Sequence, residues 1–353
     1  MEIKKIKTFY RNRKVFITGH TGFKGIWLYL ILKFFGAKVL GYSLPLKKKD
    51  NYIFFKKNKK NFNSKFGDIL NFNYLKKNID SFNPEIVFHF AAQSLVIESQ
   101  KNPKKTLETN VIGTNNIIKI CSAKNKVKSV IIATSDKCYL NNNKIKSFSE
   151  TSQLGGNEPY SLSKAICENL INSYLNNFKS YINFGLSSVR AGNVIGGGDF
   201  SNYRIIPDII KNYNSKKLRL RNPNYIRPWQ DILDVCYAYL LIPIFHYKNK
   251  IKYSGPYNVG PLRKKSISVY KLSSMLIKEF KINYKIFIKK KKYKESKYLL
   301  LNSNKIKKKL NWKPYINISK SIKNIAIWYK AYFNKKNLIK ISNSQIQDYF
   351  IRR

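Results

Sequence analysis

The sequence predicts an α/β fold: a doubly wound parallel sheet with a smaller C-terminal lobe. Three observations predict it. The apolar run VFIT, Val15 to Thr18, leads directly into a glycine-rich loop and then into an apolar helical stretch. Apolar strand candidates then alternate with helical stretches as far as Val189, the order that builds parallel sheets with helices on both faces. From about Gly196 the alternation gives way to glycines, prolines and isolated aromatics.

Val15 to Thr18 is the first strand and Trp27 to Phe35 the first apolar helix, closed by Gly36; Ala37 to Gly41 follows as the second strand. Strand, loop, helix, strand is the opening unit of a dinucleotide-binding sheet. Further strands are expected at Glu85 to Phe90, Val130 to Thr134 and Leu186 to Val189, with helices at Thr109 to Cys121 and Ser161 to Tyr174. The dinucleotide-binding part is assigned to residues 12–190, with a return to the sheet near 231–260. Residues 191–230 and 261–340 form the substrate-binding lobe, and Lys281 to Lys297 reads as a weakly structured surface segment.

A chain of 353 residues with 43% hydrophobic content can bury a large core. The longest apolar run, Tyr237 to Phe245, is too short to span a membrane, and no apolar segment follows the basic start, so no signal peptide is expected. Cys121, Cys138, Cys167 and Cys236 are scattered without a CxxC pair; no metal site is read, and the thiols suit a reducing cytoplasm. The net charge of +50 suggests a polyanion partner when taken alone. However, Lys, Asn, Ile, Phe and Tyr are all enriched, all have AT-rich codons, and the lysines are spread along the chain. The profile therefore reads as mutational bias, with salt-sensitive, non-specific adhesion to nucleic acid as its side effect.

The loop is TGHTGFKG, with Gly19, Gly22 and Gly25 spaced by two residues. Gly19 permits the tight turn, Gly22 admits a pyrophosphate to the backbone, and Gly25 lets the helix pack close to the sheet. Thr21 and Phe23 lie in the same loop, which opens the helix and presents its positive end to phosphates. The acidic residue expected at the end of the second strand is missing; Tyr42 and Ser43 stand there, so NAD and NADP are not distinguished. The nearby Lys47 to Lys49 would favour a phosphate.

Tyr160 and Lys164 form a second constellation, in YSLSK. A tyrosine takes a carbinol proton if a cation lowers its pKa from about 10, and a lysine four residues on shares its helical face. The YxxxK pattern recurs in this chain, for example at Tyr29 and Lys33. Only Tyr160 begins a helix beyond the fourth strand candidate, downstream of Ser135 at a strand end, which would hydrogen-bond the reacting hydroxyl. His89 lies in a strand and reads as a packed core histidine.

With these residues in view, the chain resembles the extended short-chain dehydrogenase/reductases, and among them the CDP-glucose 4,6-dehydratases. The resemblance runs from about Arg13 to Tyr332. It rests on GHTGFKG, PEIVFHFAAQ (Pro84 to Gln93), TNVIGT (Thr109 to Thr114), TSDKCY (Thr134 to Tyr139), PYSLSK (Pro159 to Lys164), RAGNVIGGGD (Arg190 to Asp199) and RNPNYIRPWQ (Arg221 to Gln230). The more specific signals are Ser135-Asp136-Lys137, Gly196 to Asp199, and Arg227 to Gln230.

The resemblance implies NAD-dependent dehydration of CDP-glucose to CDP-4-keto-6-deoxyglucose, within deoxysugar and surface-polysaccharide (O-antigen) biosynthesis. Tyr160, aided by Lys164 and Ser135, would take the proton from the carbon-4 hydroxyl. Asp136 would be the acid toward the departing carbon-6 hydroxyl, and Lys137 the carbon-5 base, which requires a neutral lysine. Asp68 and Ile69 would sit at the adenine, Ala91, Ala92 and Gln93 would flank the cofactor with Asn110 nearby, and Asn193, Arg204 and Arg227 would hold the diphosphate. It also implies a cytoplasmic homodimer through the helices at Thr109 to Cys121 and Ser161 to Tyr174. Asp231, Ile97, Gln100 and Asn302 depart from the family pattern, and the first three bear on sugar or nucleotide preference. Competing readings are another extended-family epimerase or dehydratase, a basic nucleic-acid-binding protein without catalysis, and a decayed enzyme.

Overall fold

In a computed structural model, residues 2–46, 59–142, 146–213, 217–261, 266–281, 285–288 and 296–353 are described. Seven strands form one sheet: β1 (Lys14–Thr18), β2 (Lys38–Ser43), β3 (Ser64–Phe66), β4 (Ile86–His89), β5 (Ser129–Ala133), β6 (Gly185–Ala191) and β7 (Gly255–Val259). Their order across the sheet is β7-β6-β5-β4-β1-β2-β3, and every pairing is parallel. Side chains alternate along each strand between two cores. Val15, Ile17, Ile86 and Phe88 enter the larger one, while Phe16 and Val87 enter the smaller.

The principal helices are α1 (Ile3–Tyr10), α2 (Phe23–Phe34), α3 (Phe72–Phe82), α4 (Gly113–Ser122), α5 (Pro159–Asn176), α6 (Ile232–Lys248), α7 (Ile318–Phe333) and α8 (Leu338–Arg352). The larger core lies between the sheet and α2, α6, α7 and α8; the smaller lies on the side of α3 and α4. The apolar run Tyr237 to Phe245 is the middle of α6, a helix apolar nearly all round because it is buried nearly all round. Helices also begin where local chemistry starts them. Pro159 opens α5 after the Glu158 cap, and the Asp231 and Asn317 side chains accept from the first turns of α6 and α7.

Three features differ from the sequence expectation. β3, three residues long with little apolar content, carries no legible strand pattern. The expected helix at Thr109 to Cys121 is not uniform: Glu108–Ile112 forms a π-helical turn before α4. In the lysine-rich stretch, Lys285–Ile288 forms a strand parallel to Lys217–Leu220, because the strand-forming Ile286, Phe287 and Ile288 interrupt the lysines. The rest of that stretch from 282 to 295, like Lys47 to Lys49, lies outside the described residues.

The glycines at 196–198 have a packing reason. A Cβ on Gly196 would lie 2.6 Å from Ile232, one on Gly197 would lie 2.2 Å from the Trp328 ring, and Gly198 has φ +83°. Trp27 of α2 donates to the Gly197 carbonyl at 2.8 Å, and Tyr329 of α7 donates to the Asp199 carbonyl at 2.6 Å. This ribbon therefore locks the helix of the glycine loop to the C-terminal helices. Asp231 is buried beside it, accepting from Leu233 N at 2.9 Å and Ser321 Oγ at 2.6 Å. It caps a helix and fastens α7, so this departure acts on the scaffold. All three histidines are buried against hydroxyls: His20 between Ser43 and Ser64, His89 on Thr18, and His246 between Ser129 and Ser187.

Two outcomes are expected. Gly197→Ala forces its methyl into Trp328 and lowers stability by about 2 kcal/mol, read as a lower thermal midpoint. Burial raises the Asp231 carboxyl from 3.8 to about 7, so the folded chain binds its proton more tightly than the unfolded chain does. That contribution is complete below the unfolded pKa and is lost as pH rises through about 7. Asp231→Asn should therefore melt a few degrees above the unsubstituted protein at pH near 8, with the gap closing as melts are taken toward pH near 4.

Candidate active site

The carboxyl ends of the parallel strands lie along one edge of the sheet, and the site is built there. Gly19 follows β1 with φ +72°, and a Cβ on it would stand 2.5 Å from Ala91 N, so only glycine fits. Its N–H donates to the Tyr42 carbonyl at 2.7 Å. Gly22 is the residue before α2, whose first N–H groups open toward the loop. A Cβ on Gly25 would lie 2.2 Å from the Gly19 carbonyl and 2.7 Å from His20 Cα. Its role is thus to let the helix close on its own loop, where the spacing had suggested packing on the sheet. Phe23 is buried against the Gly196 ribbon, and Thr21 N donates to Ser43 Oγ at 3.3 Å. This cradle, closed to a Cβ at Gly19 and Gly25 and set at a helix N-terminus, fits the pyrophosphate of NAD.

The flanks follow. Ala91 N donates to Thr18 Oγ1 at 3.2 Å, and Ala92 and Gln93 continue the turn beyond β4. Gln93 N donates to Asn110 Oδ1 at 2.8 Å, and Asn110 Nδ2 donates to Gln93 O and to Ser163 Oγ at 3.0 and 2.8 Å. Asn110 is 1% exposed, so it acts here as a clamp between the β4 turn and α5. The π-helical turn that carries it provides the necessary offset. Asp68 is exposed, accepting from Leu70 N, while the Ile69 side chain is buried against Gly113. His89 meets Thr18 Oγ1 at 2.7 Å and is pushed by burial down to about 3, a neutral core residue.

Ser135, Asp136, Lys137, Tyr160, Asn193, Arg204 and Arg227 all line one cleft. Ser135 Oγ donates to Asp136 Oδ1 at 2.9 Å and accepts from Lys137 N at 3.2 Å. Asp136 is 2% exposed, and its Oδ2 is buried with no hydrogen-bond partner among the described residues. Lys164 is buried and donates to the Ala133 carbonyl at 3.3 Å. Burial lowers Lys164 from its ordinary value. Burial also raises Tyr160 to about 12, outweighing the nearby Ser135 hydroxyl and Arg204 charge that favour its phenolate. The simple expectation that Lys164 holds Tyr160 low is therefore not met by the protein groups alone.

Elsewhere in the cleft Arg204 pairs with Asp199 at 3.0 Å, and Arg227 Nη1 donates to the Ile226 and Lys297 carbonyls. Arg219 and Arg221 also line the cleft, as does Lys24 from the glycine loop. Lys24 is pushed down to about 8 by desolvation, with Arg204 and Lys164 adding to the shift and Asp136 opposing it. Motif position would have pointed to Lys24 and Arg221, which lie inside GHTGFKG and RNPNYIRPWQ. Arg219 carries no such signal in a chain this rich in cations. Of the departures, Ile97 lines the cleft; Asn302 accepts from Asn304 N as an aspartate would; Gln100 keeps Oε1 buried and without a partner among the described residues.

A nucleotide cradle beside a tyrosine, lysine and serine at a parallel-sheet edge defines a nucleotide-sugar enzyme of the extended short-chain dehydrogenase/reductase type. Within that class the chain belongs to the family described as GDP-mannose 4,6 dehydratase, which matches residues 16–325. It is 35% identical over 350 residues to the CDP-glucose 4,6-dehydratase of Salmonella typhimurium, covering 97% of this chain and 98% of that one. Among solved structures, the dTDP-glucose 4,6-dehydratase of Bacillus anthracis in complex with NAD superposes with TM-score 0.77 at 21% identity, over 93% of this chain and 99% of that one. DesIV, a dTDP-glucose 4,6-dehydratase of Streptomyces venezuelae, does so with TM-score 0.78 at 20% identity, over 92% and 99%.

The cradle makes a direct prediction. Gly25→Ala leaves an ordinary helical backbone but pushes a methyl onto the Gly19 carbonyl. NAD affinity measured by calorimetry should fall at least about tenfold, a cost of about 1.4 kcal/mol.

Proposed function

We propose that this chain is an NAD-dependent CDP-glucose 4,6-dehydratase that makes CDP-4-keto-6-deoxyglucose. The observation that carries this is the turn Ser135-Asp136-Lys137, set against Tyr160 in one cleft with the buried Asp136 Oδ2 unpartnered among the described residues. An acid and an amine beside the phenol are what elimination needs after oxidation at carbon 4. Gly19, Gly22 and Gly25 would hold NAD, which when bound would supply the hydride acceptor for oxidation at carbon 4 and the hydride donor for reduction at carbon 6.

The protein's part is proton handling. Tyr160 removes the carbon-4 hydroxyl proton, with Ser135 orienting that hydroxyl and Lys164 supplying the nearby cation. Lys137 takes the acidified carbon-5 proton, Asp136 protonates the departing carbon-6 hydroxyl, and water leaves. Asn193, Arg204 and Arg227, joined by Arg219 and Arg221, hold the nucleotide diphosphate. The chain's +50 charge raises the local concentration of that dianion, and nucleic acid adheres only through salt-sensitive contacts. The proposal places the enzyme in the cytoplasm, where its four buried free thiols stay reduced, supplying deoxysugar for surface polysaccharide. It also pairs two copies through the face carrying Ile112 and Leu162, large apolar side chains exposed on the two helices named for it.

The test is mass spectrometry of CDP-, dTDP-, UDP- and GDP-sugars incubated with the purified protein and no added reductant. Loss of one water from CDP-glucose alone is expected; an isomerised sugar of unchanged mass would favour an epimerase instead. Tyr160→Phe should lower kcat by about 10²–10⁴-fold. Lys137→Ala should stop water loss with NAD still bound; unimpaired dehydration would remove Lys137 from the role assigned to it.

A further inference from the structure

Behind the cleft lies a buried polar network that the proposed chemistry does not use. Glu168 sits one turn after Lys164 on α5 and is 2% exposed. Its Oε1 accepts from the Thr134 hydroxyl, and its Oε2 accepts from Ser188 Oγ and Arg190 Nη2, each at 2.7 Å. Arg190, 3% exposed on β6, donates through Nη1 to Tyr139 OH at 2.8 Å and to the Glu150 carbonyl at 3.1 Å. Tyr139 in turn donates to Asn258 Oδ1 at 2.6 Å, and Asn258 Nδ2 donates to the Phe148 and Asn302 carbonyls at 2.9 and 3.2 Å.

The partners of this ion pair fall at particular places in the chain. Thr134 is the residue before Ser135, and Tyr139 is the second residue after Lys137. The carboxylate therefore grips one end of the turn Asp136–Cys138 and the guanidinium grips the other. The carboxylate shares a helix with Lys164, so the turn and the buried ammonium are fixed to a single rigid element.

We propose that Glu168 and Arg190 are positioning residues for this site, holding the Ser135-Asp136-Lys137 turn at both ends against the helix that carries Tyr160 and Lys164. The chemical role of that turn rests on the function proposed above; the placement does not. Glu168 has a second effect in the same direction. Burial lowers Lys164, while Cys167 and Glu168 oppose that shift, so the carboxylate favours the charged ammonium.

A buried ion pair could serve folding alone, and replacement by neutral groups of similar volume is then often harmless. The experiment separates the two roles. Thr134→Val removes the hydroxyl held by Glu168, with its long 3.4 Å contact to the Val189 carbonyl, and leaves both charges, whereas Glu168→Gln/Arg190→Met removes both charges together. Thermal midpoint, kcat and KM for whichever nucleotide sugar the unsubstituted enzyme dehydrates, and amide hydrogen exchange across 134–139 without substrate are compared. Positioning predicts faster exchange across that segment in both variants. It also predicts kcat lower by up to about 10²-fold, with KM nearly unchanged and no proportionate loss of thermal midpoint. Unchanged exchange and kcat in either folded variant would overturn the proposal. If the double variant does not fold, Thr134→Val decides alone. If the unsubstituted protein dehydrates no nucleotide sugar, the functional reading falls and the exchange comparison still decides the placement.

Discussion

Seven strands running in one direction can be joined only by crossovers, and each crossover returns the chain to the same starting edge. All carboxyl ends then face one side. That constraint brings together groups far apart in sequence: Gly19 after β1, Ala91 after β4, Ser135 after β5 and Asn193 after β6. The close backbone approach of Gly19 to Ala91 sets the depth of the cradle, because any Cβ there would separate β1 from the β4 turn. Asn110 and Ser163 then tie that turn to the helix of Tyr160 and Lys164.

The electrostatics of the cleft follow from burial more than from the chain's excess of cations. Desolvation raises the Tyr160 phenol and lowers the Lys164 and Lys24 ammoniums. The carboxylates are few, 18 Asp and Glu against 68 Lys and Arg, yet several occupy decisive buried positions. Asp136 faces the cleft, Glu168 stands behind it, and Asp234 at 0% exposure ties α6 to Tyr315 N, Ile316 N and Tyr349 OH.

Much of this was legible in the sequence because it is written locally. β1, β4, β5 and β6 appear as short apolar runs, and the glycine loop, Tyr160 and Lys164 fall at fixed offsets from them. What escaped depends on distant partners. β3 owes its strand to pairing with β2. Gly197 owes its place to Trp328, more than a hundred residues away, Gly196 to Ile232, and Asp231 to Ser321. Arg219 enters the cleft by register in a strand whose partner lies at 285–288. A lowered pKa for Tyr160 was expected from spacing alone, but spacing carries no measure of burial.

The hydroxyl-bound histidines have a consequence for the molecule as a proton store. His20, His89 and His246 fall to about 4, 3 and 3, with burial the leading cause each time. These imidazoles take up no proton across the neutral range, so the usual source of side-chain buffering there is silent in this chain. Asp231 and Lys24, near 7 and 8, cross their midpoints in that interval instead. The groups that change charge near neutrality are thus a helix cap that fastens the C-terminal helix and an ammonium of the glycine loop.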